Sequence, residues 1–157
     1  MVVILLVVQL VAFPFAILYG KLAGKWGVRR MITCGITTYM LVCLVALMLE
    51  PLRKWGQGAL MGGFILLAFL VGTAQGGIQA LSRSYFGKLV PENSANEFFG
   101  FFDIFGKFSA VIGPALFSLV WDSTQKVYLG IIPVLVMFGV GLTLFLSVPK
   151  EMHKMSD

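Results

Sequence analysis

The sequence predicts an all-α membrane protein with five transmembrane helices, and three observations predict it. Hydrophobic residues make up 59% of the 157 and charged residues only 12%, with a mean hydropathy of +0.93, well outside what a soluble core requires. Five apolar runs, at about 1–19, 31–49, 59–82, 98–121 and 127–148, are each long enough to cross a hydrocarbon core, which takes about 20 mainly apolar residues. The basic residues fall in short clusters between those runs, as topology signals do.

The first run, MVVILLVVQLVAFPFAILY, lacks the basic flank of a signal peptide and reads as a span, with Gln9 beside Pro14 as a packing or kink feature. The basic loop GKLAGKWGVRR follows. The second run ends at EPLRKWGQG, where Pro51 and the glycines are expected to break the helix. The third runs through GTAQGGIQALS into RSYFGKLVPENSANE, and the short turn DSTQK joins the fourth and fifth. Lys21, Lys25, Arg29, Arg30, Arg83, Lys88, Lys150 and Lys154 fall on one side of the membrane, against Arg53, Lys54 and Lys126 on the other. The richer side should be cytoplasmic. The N-terminus is then outside, the C-terminus in the cytoplasm, and the fourth span runs outward, with Trp121 as an anchor at the outer interface.

Several function classes drop out. The net charge of +5 builds no continuous basic face, so no nucleic-acid partner is expected. Cys34 and Cys43 lie nine residues apart in one run, roughly 13 Å along a helix, which excludes a bridge between them. With His153 the only histidine, no set of metal ligands is expected, and nothing calls for a cofactor. Ser82 and Ser84 flank Arg83, but no histidine lies near them and no nucleophile elbow is present, so an enzyme is not expected.

The fourth run carries the informative anomaly, EFFGFFDIFGKF. A charge in the bilayer costs at least a few kcal/mol, so such residues normally face a protein interior or a water-filled path. At 100° per residue, Phe98, Phe101, Phe105, Phe108, Ile112 and Leu116 share one face, and Gly100, Asp103, Gly106, Lys107, Ala110 and Pro114 lie opposite. The bulky face suits lipid and the small polar face suits packing against other helices. Asp103 and Lys107, spaced i, i+4, are expected to pair, at about 9 and 15 Å from the cytoplasmic entry point. The third span carries a stripe of its own: Ala68, Gly72, Gln75, Gln79 and Ser82. With the helices antiparallel, Gln79 is expected near the depth of Asp103 and Gln75 near that of Lys107, so the two stripes form one polar cluster. A structural reading stands beside this one, because intramembrane amides, ion pairs and the Gly72-x-x-x-Gly76 pattern also serve simply to join helices.

The loop after the first span resembles the cytoplasmic signature loop of the major facilitator superfamily of secondary transporters, with Gly20, Lys25, Gly27, Arg29 and Arg30 at the pattern's positions. Glycines there permit a tight turn and close helix approach, and the basic residues can latch onto a neighbouring helix terminus. Gly24 departs from the pattern, standing where it has an acidic residue. Residues 72–117 carry a more specific likeness, to the vacuolar amino-acid effluxer-like, autophagy-associated branch of that superfamily. Gln75, Gly76, Gln79, Leu81, Ser82, Arg83 and Ser84 carry it, followed by Pro91, Glu97, Phe98, Phe99, Gly100, Gly106, Lys107, Gly113 and Pro114. Lys107 is expected in that family; Asp103 is not.

The resemblance implies that the five spans correspond to the last five of a twelve-helix major facilitator fold. Residues 1–157 would then be a partial C-terminal transporter half whose partners are the lipid bilayer and the N-terminal half. It implies secondary active transport by alternating access, with efflux of amino acids or similar small solutes and the proton as candidate coupling ion. Gln75, Gln79, Asp103 and Lys107 are the candidates for the substrate or ion path, and Gly20, Lys25, Gly27, Arg29 and Arg30 for a cytoplasmic gating loop. The membrane would be the cell membrane in a bacterium and the vacuolar membrane in a eukaryote. The rival reading is a non-transporting membrane scaffold or assembly subunit.

Overall fold

A computed structural model describes residues 2–52 and 56–148. Arg53, Lys54, Lys150 and Lys154, used above for orientation, lie outside them, as does His153. Among the described residues the chain forms five α-helices and no strand: α1 Val2–Trp26, α2 Val28–Leu52, α3 Gln57–Leu89, α4 Ala95–Thr124 and α5 Val127–Ser147, with a 3-10 turn at Glu92–Ser94 before α4. Of these, α2, α3, α4 and α5 are long and apolar enough to cross a membrane, and α1 carries the first predicted span.

Helices α1 to α4 are longer than the apolar runs. The basic loop predicted after the first span is helical except at Gly27, whose φ of 89° turns the chain from α1 into α2 in a single residue. Gly27 donates its N–H to the Ala23 carbonyl at 3.0 Å and accepts from the Met31 N–H at 3.3 Å, so the junction is bonded on both sides. Backbone polar groups near a bilayer must be satisfied within the chain, and extending the helix does that. Pro51 does not end α2, which runs on to Leu52. At the α4–α5 turn, Gln125 takes the left-handed conformation (φ 55°) and closes α4 with an N–H bond to the Trp121 carbonyl at 2.7 Å.

Packing follows the small residues. Gly76 meets the Ala12 backbone, Gly77 the Tyr19 ring and Gly35 the Ile78 side chain, each so closely that a methyl group would collide. Gly72 lies against Val11. The Gly72-x-x-x-Gly76 pattern therefore docks α3 on α1, and α3 also packs on α2. A buried cluster of Tyr19, Ala23, Met31, Ile32, Leu81 and Tyr85 gathers the ends of α1, α2 and α3 that adjoin Gly27. On the far side of α2, Tyr39 stacks on Phe138 of α5 at 5.3 Å between centroids.

Against this three-helix body α4 is an outlier. It rests on α5, where Phe117 lies over Gly130, and none of its residues is buried. The phenylalanine face is open, as expected for lipid. The opposite face is open as well: a Cβ added at Gly100, Gly106 or Gly113 would meet nothing within 4 Å. Most hydroxyls in the helices need no neighbour, since Thr33, Thr37, Thr38, Thr73, Ser109 and Thr143 bond carbonyls three or four residues back.

Candidate functional site

The five loop residues singled out in the sequence, Gly20, Lys25, Gly27, Arg29 and Arg30, all line one groove of about 1140 Å³, closed on its other side by Ala80, Leu81, Ser84 and Lys88 of α3 and by Leu146 of α5. The two glycines differ in what they do there. Gly27 needs its positive φ, which costs an L residue about 1–2 kcal/mol, whereas a Cβ at Gly20 would meet nothing within 4 Å.

Arg29 ties this corner to the end of α5. Its Nη2 donates to the carbonyl of Leu146 at 2.7 Å and to that of Phe145 at 3.4 Å, and its guanidinium carbon lies 5.9 Å from the centre of the Phe145 ring. The carbonyls of a last helical turn have no partner within the helix and carry the negative end of its dipole, so a cation is the fitting cap. The latch expected from the basic residues is thus made by Arg29, and onto backbone oxygen rather than a carboxylate.

The second candidate set is carried by α3 and α4, which touch through Asp103 and Arg83. Asp103 does not pair with Lys107. Its Oδ1 accepts from Arg83 Nη2 at 2.6 Å, and among the described residues Lys107 meets no carboxylate within 4.0 Å. The physical reason is reach: α3 continues helical to Leu89, which carries Arg83 alongside α4, and the planar guanidinium grips a carboxylate better than an ammonium one helical turn away. Beside the pair, Phe86 stacks on Phe102 at 4.8 Å and meets Phe99 edge-on at 5.5 Å.

This contact sets the register. Antiparallel helices that meet at Arg83 and Asp103 bring Gln79 to the level of Lys107, one turn further along each, and Gln75 a turn beyond. The polar rows are offset by one helical turn from the sequence expectation. Gln79 lies four residues from Arg83 and seven from Phe86, so it shares the side of α3 that meets α4. Gln79, Asp103 and Lys107 are exposed and Gln75 is half-buried. Among the described residues neither glutamine side chain makes a hydrogen bond. Arg83 is the residue that sequence reasoning left out of the candidate site: it serves there as a topology signal and as part of the family likeness, although it stands i+4 from Gln79 on the same stripe.

A family model described as "Vacuole effluxer Atg22 like" matches residues 1–156. The chain is 45% identical over 149 residues, 95% of its length and 33% of the relative's, to a Bacillus subtilis protein called "Uncharacterized MFS-type transporter YxiO". It is 30% identical over 128 residues, 78% of its length and 21% of the relative's, to Autophagy-related protein 22-1 of Sclerotinia sclerotiorum. A 62-residue stretch, 40% of the chain and 12% of the relative, is 40% identical to Autophagy-related protein 22 of Saccharomyces cerevisiae. The chain thus spans a third or less of the length of these relatives. No solved structure matches it. A bundle of long apolar helices and a family match over nearly every residue lead to one conclusion: this membrane chain belongs to the Atg22-like vacuole effluxer family.

Proposed function

We propose that this chain is the C-terminal part of a secondary transporter, supplying five of the twelve helices of a major facilitator fold, and that the whole carrier moves small solutes by alternating access. Efflux of amino acids or similar solutes, coupled to protons, is the substrate reading. In this reading the N-terminus is outside and the C-terminus cytoplasmic, and the N-terminal half of the carrier is the missing wall of the solute path.

The observation that supports the reading is the Arg83–Asp103 ion pair, flanked by the Phe86 contacts with Phe99 and Phe102, at one end of the stripes on which Gln75, Gln79 and Lys107 lie. Amides and an ammonium in a membrane need water, solute or protein to satisfy them. A solute path between α3, α4 and the absent half supplies all three. Arg83 and Asp103 stand at the end of that path, where an ion pair can open and close as the halves rock.

Solute flux tests it. Vesicles holding the complete carrier are expected to release preloaded amino acids when a proton gradient is applied, and vesicles holding residues 1–157 alone are not. Flux that survives replacing Gln79, Asp103 and Lys107 together would remove these residues from the path. A complete carrier that folds but moves none of a broad amino-acid set would leave the scaffold reading.

A further inference from the structure

We propose that the groove at the α1–α2 junction binds the phosphate group of an anionic ligand. Lys25 from the last turn of α1 and Arg29 and Arg30 from the first turn of α2 converge on it, and no aspartate or glutamate is among its lining residues. Among the described residues none of these three cations meets a carboxylate within 4.0 Å.

Two features ask for an anion here. Arg29 spends Nη2 on α5, while its other terminal nitrogen, Nη1, is buried and has no hydrogen-bond partner among the described residues. A buried charged donor without an acceptor is costly, so an acceptor belongs beside it. In addition, α2 begins with two arginines and no acidic residue, placing positive charge at the positive end of the helix dipole. An anion in the groove offsets the charge at the start of α2 directly, and acts on the buried Arg29 nitrogen through space rather than by a hydrogen bond.

The chemistry favours phosphate over carboxylate. Three cations from two helices, with Ser84 of α3 also lining the groove, suit a group with three or more acceptor oxygens and up to two charges. The Thr33 hydroxyl is engaged elsewhere, donating to the Arg29 carbonyl at 3.0 Å. At about 1140 Å³ the groove also has room for whatever carries the phosphate. Both a lipid headgroup and a free phosphate present that chemistry, and basic pockets between membrane helices take the former.

The test uses the purified chain in two arms. In the first, it is placed in nanodiscs of phosphatidylcholine with phosphatidylglycerol as a minor component, and bound lipid is identified by native mass spectrometry. In the second, inorganic phosphate is titrated calorimetrically into the chain in phosphatidylcholine nanodiscs. Binding is expected in at least one arm: the first alone identifies a headgroup, and the second shows that free phosphate suffices. In the variant Lys25→Gln/Arg30→Gln, which keeps the Arg29 latch, affinity should fall about tenfold or more. Raising salt should weaken binding to the unaltered chain. Lys126→Gln, in the α4–α5 turn, should change nothing. Absence of binding in both arms, indifference to salt, or glutamate competing as well as phosphate would overturn the proposal, the last by making this a carboxylate site.

Discussion

Arg29 donates a 2.7 Å hydrogen bond to the carbonyl of Leu146, a residue 117 positions away, and so binds the start of α2 to the end of α5. Hydrogen bonds from charged donors contribute about 1.5–3 kcal/mol, and exposure of the Leu146 end places this one near the bottom of that range. Arg29→Ala should therefore lower stability by about 1.5 kcal/mol, and Arg29→Lys should recover only part, since an ammonium lacks the planar fork. Helicity followed during a detergent unfolding titration measures both.

Glycine replacements should separate packed from open faces. Gly76→Ala drives a methyl into the Ala12 backbone, and overpacking of this kind costs about 1–3 kcal/mol. Gly106→Ala meets nothing and should be neutral or stabilise by about 0.5–1 kcal/mol through helix propensity. The same Gly106→Ala change in a complete carrier should be costly if another helix covers α4, so the two backgrounds give opposite signs.

Gly27→Ala asks an L residue to hold a φ of 89°. A loss of about 1–2 kcal/mol is expected, together with faster proteolysis at the α1–α2 junction. An unchanged cleavage rate would show that the one-residue turn is not under this constraint.

The Arg83–Asp103 pair offers a contrast between stability and function. Its side chains are 61% and 51% exposed, and exposed pairs contribute only about 0–1 kcal/mol. Arg83→Gln and Asp103→Asn should each leave unfolding almost unaltered. In transport by the complete carrier both should be impaired, and the exchange Arg83→Asp/Asp103→Arg should restore flux at least in part. Two inactive single variants with an inactive exchange would argue for separate roles rather than a pair.

Much of this molecule was legible as pattern. Hydropathy located the five α-helices among the described residues, because a span needs an apolar run of fixed length, and the signature loop's residues line one groove. Helix ends were less legible. The polar stretches at Lys21–Trp26 and Arg83–Leu89 are helical, since hydropathy reports where lipid ends rather than where backbone hydrogen bonding stops.

The partner of Asp103 shows the limit. Lys107 satisfied the i, i+4 rule, but that rule describes one helix in isolation, and α3 brought Arg83 to the same carboxylate. Nor did the loop announce which of its basic residues would latch or which helix end it would reach; packing of α5 against α2 determined that.

By itself the sequence determined the membrane class, the five apolar runs, the signature loop and the two hydrophilic rows, because these depend on composition and on periodicity along one chain. Tertiary structure alone decided that Arg83 holds Asp103, that the rows are offset by one turn, and that α4 leaves its glycine face open. Those outcomes depend on how far one helix slides past another, a quantity set by side chains distant in sequence that meet only when the bundle has formed.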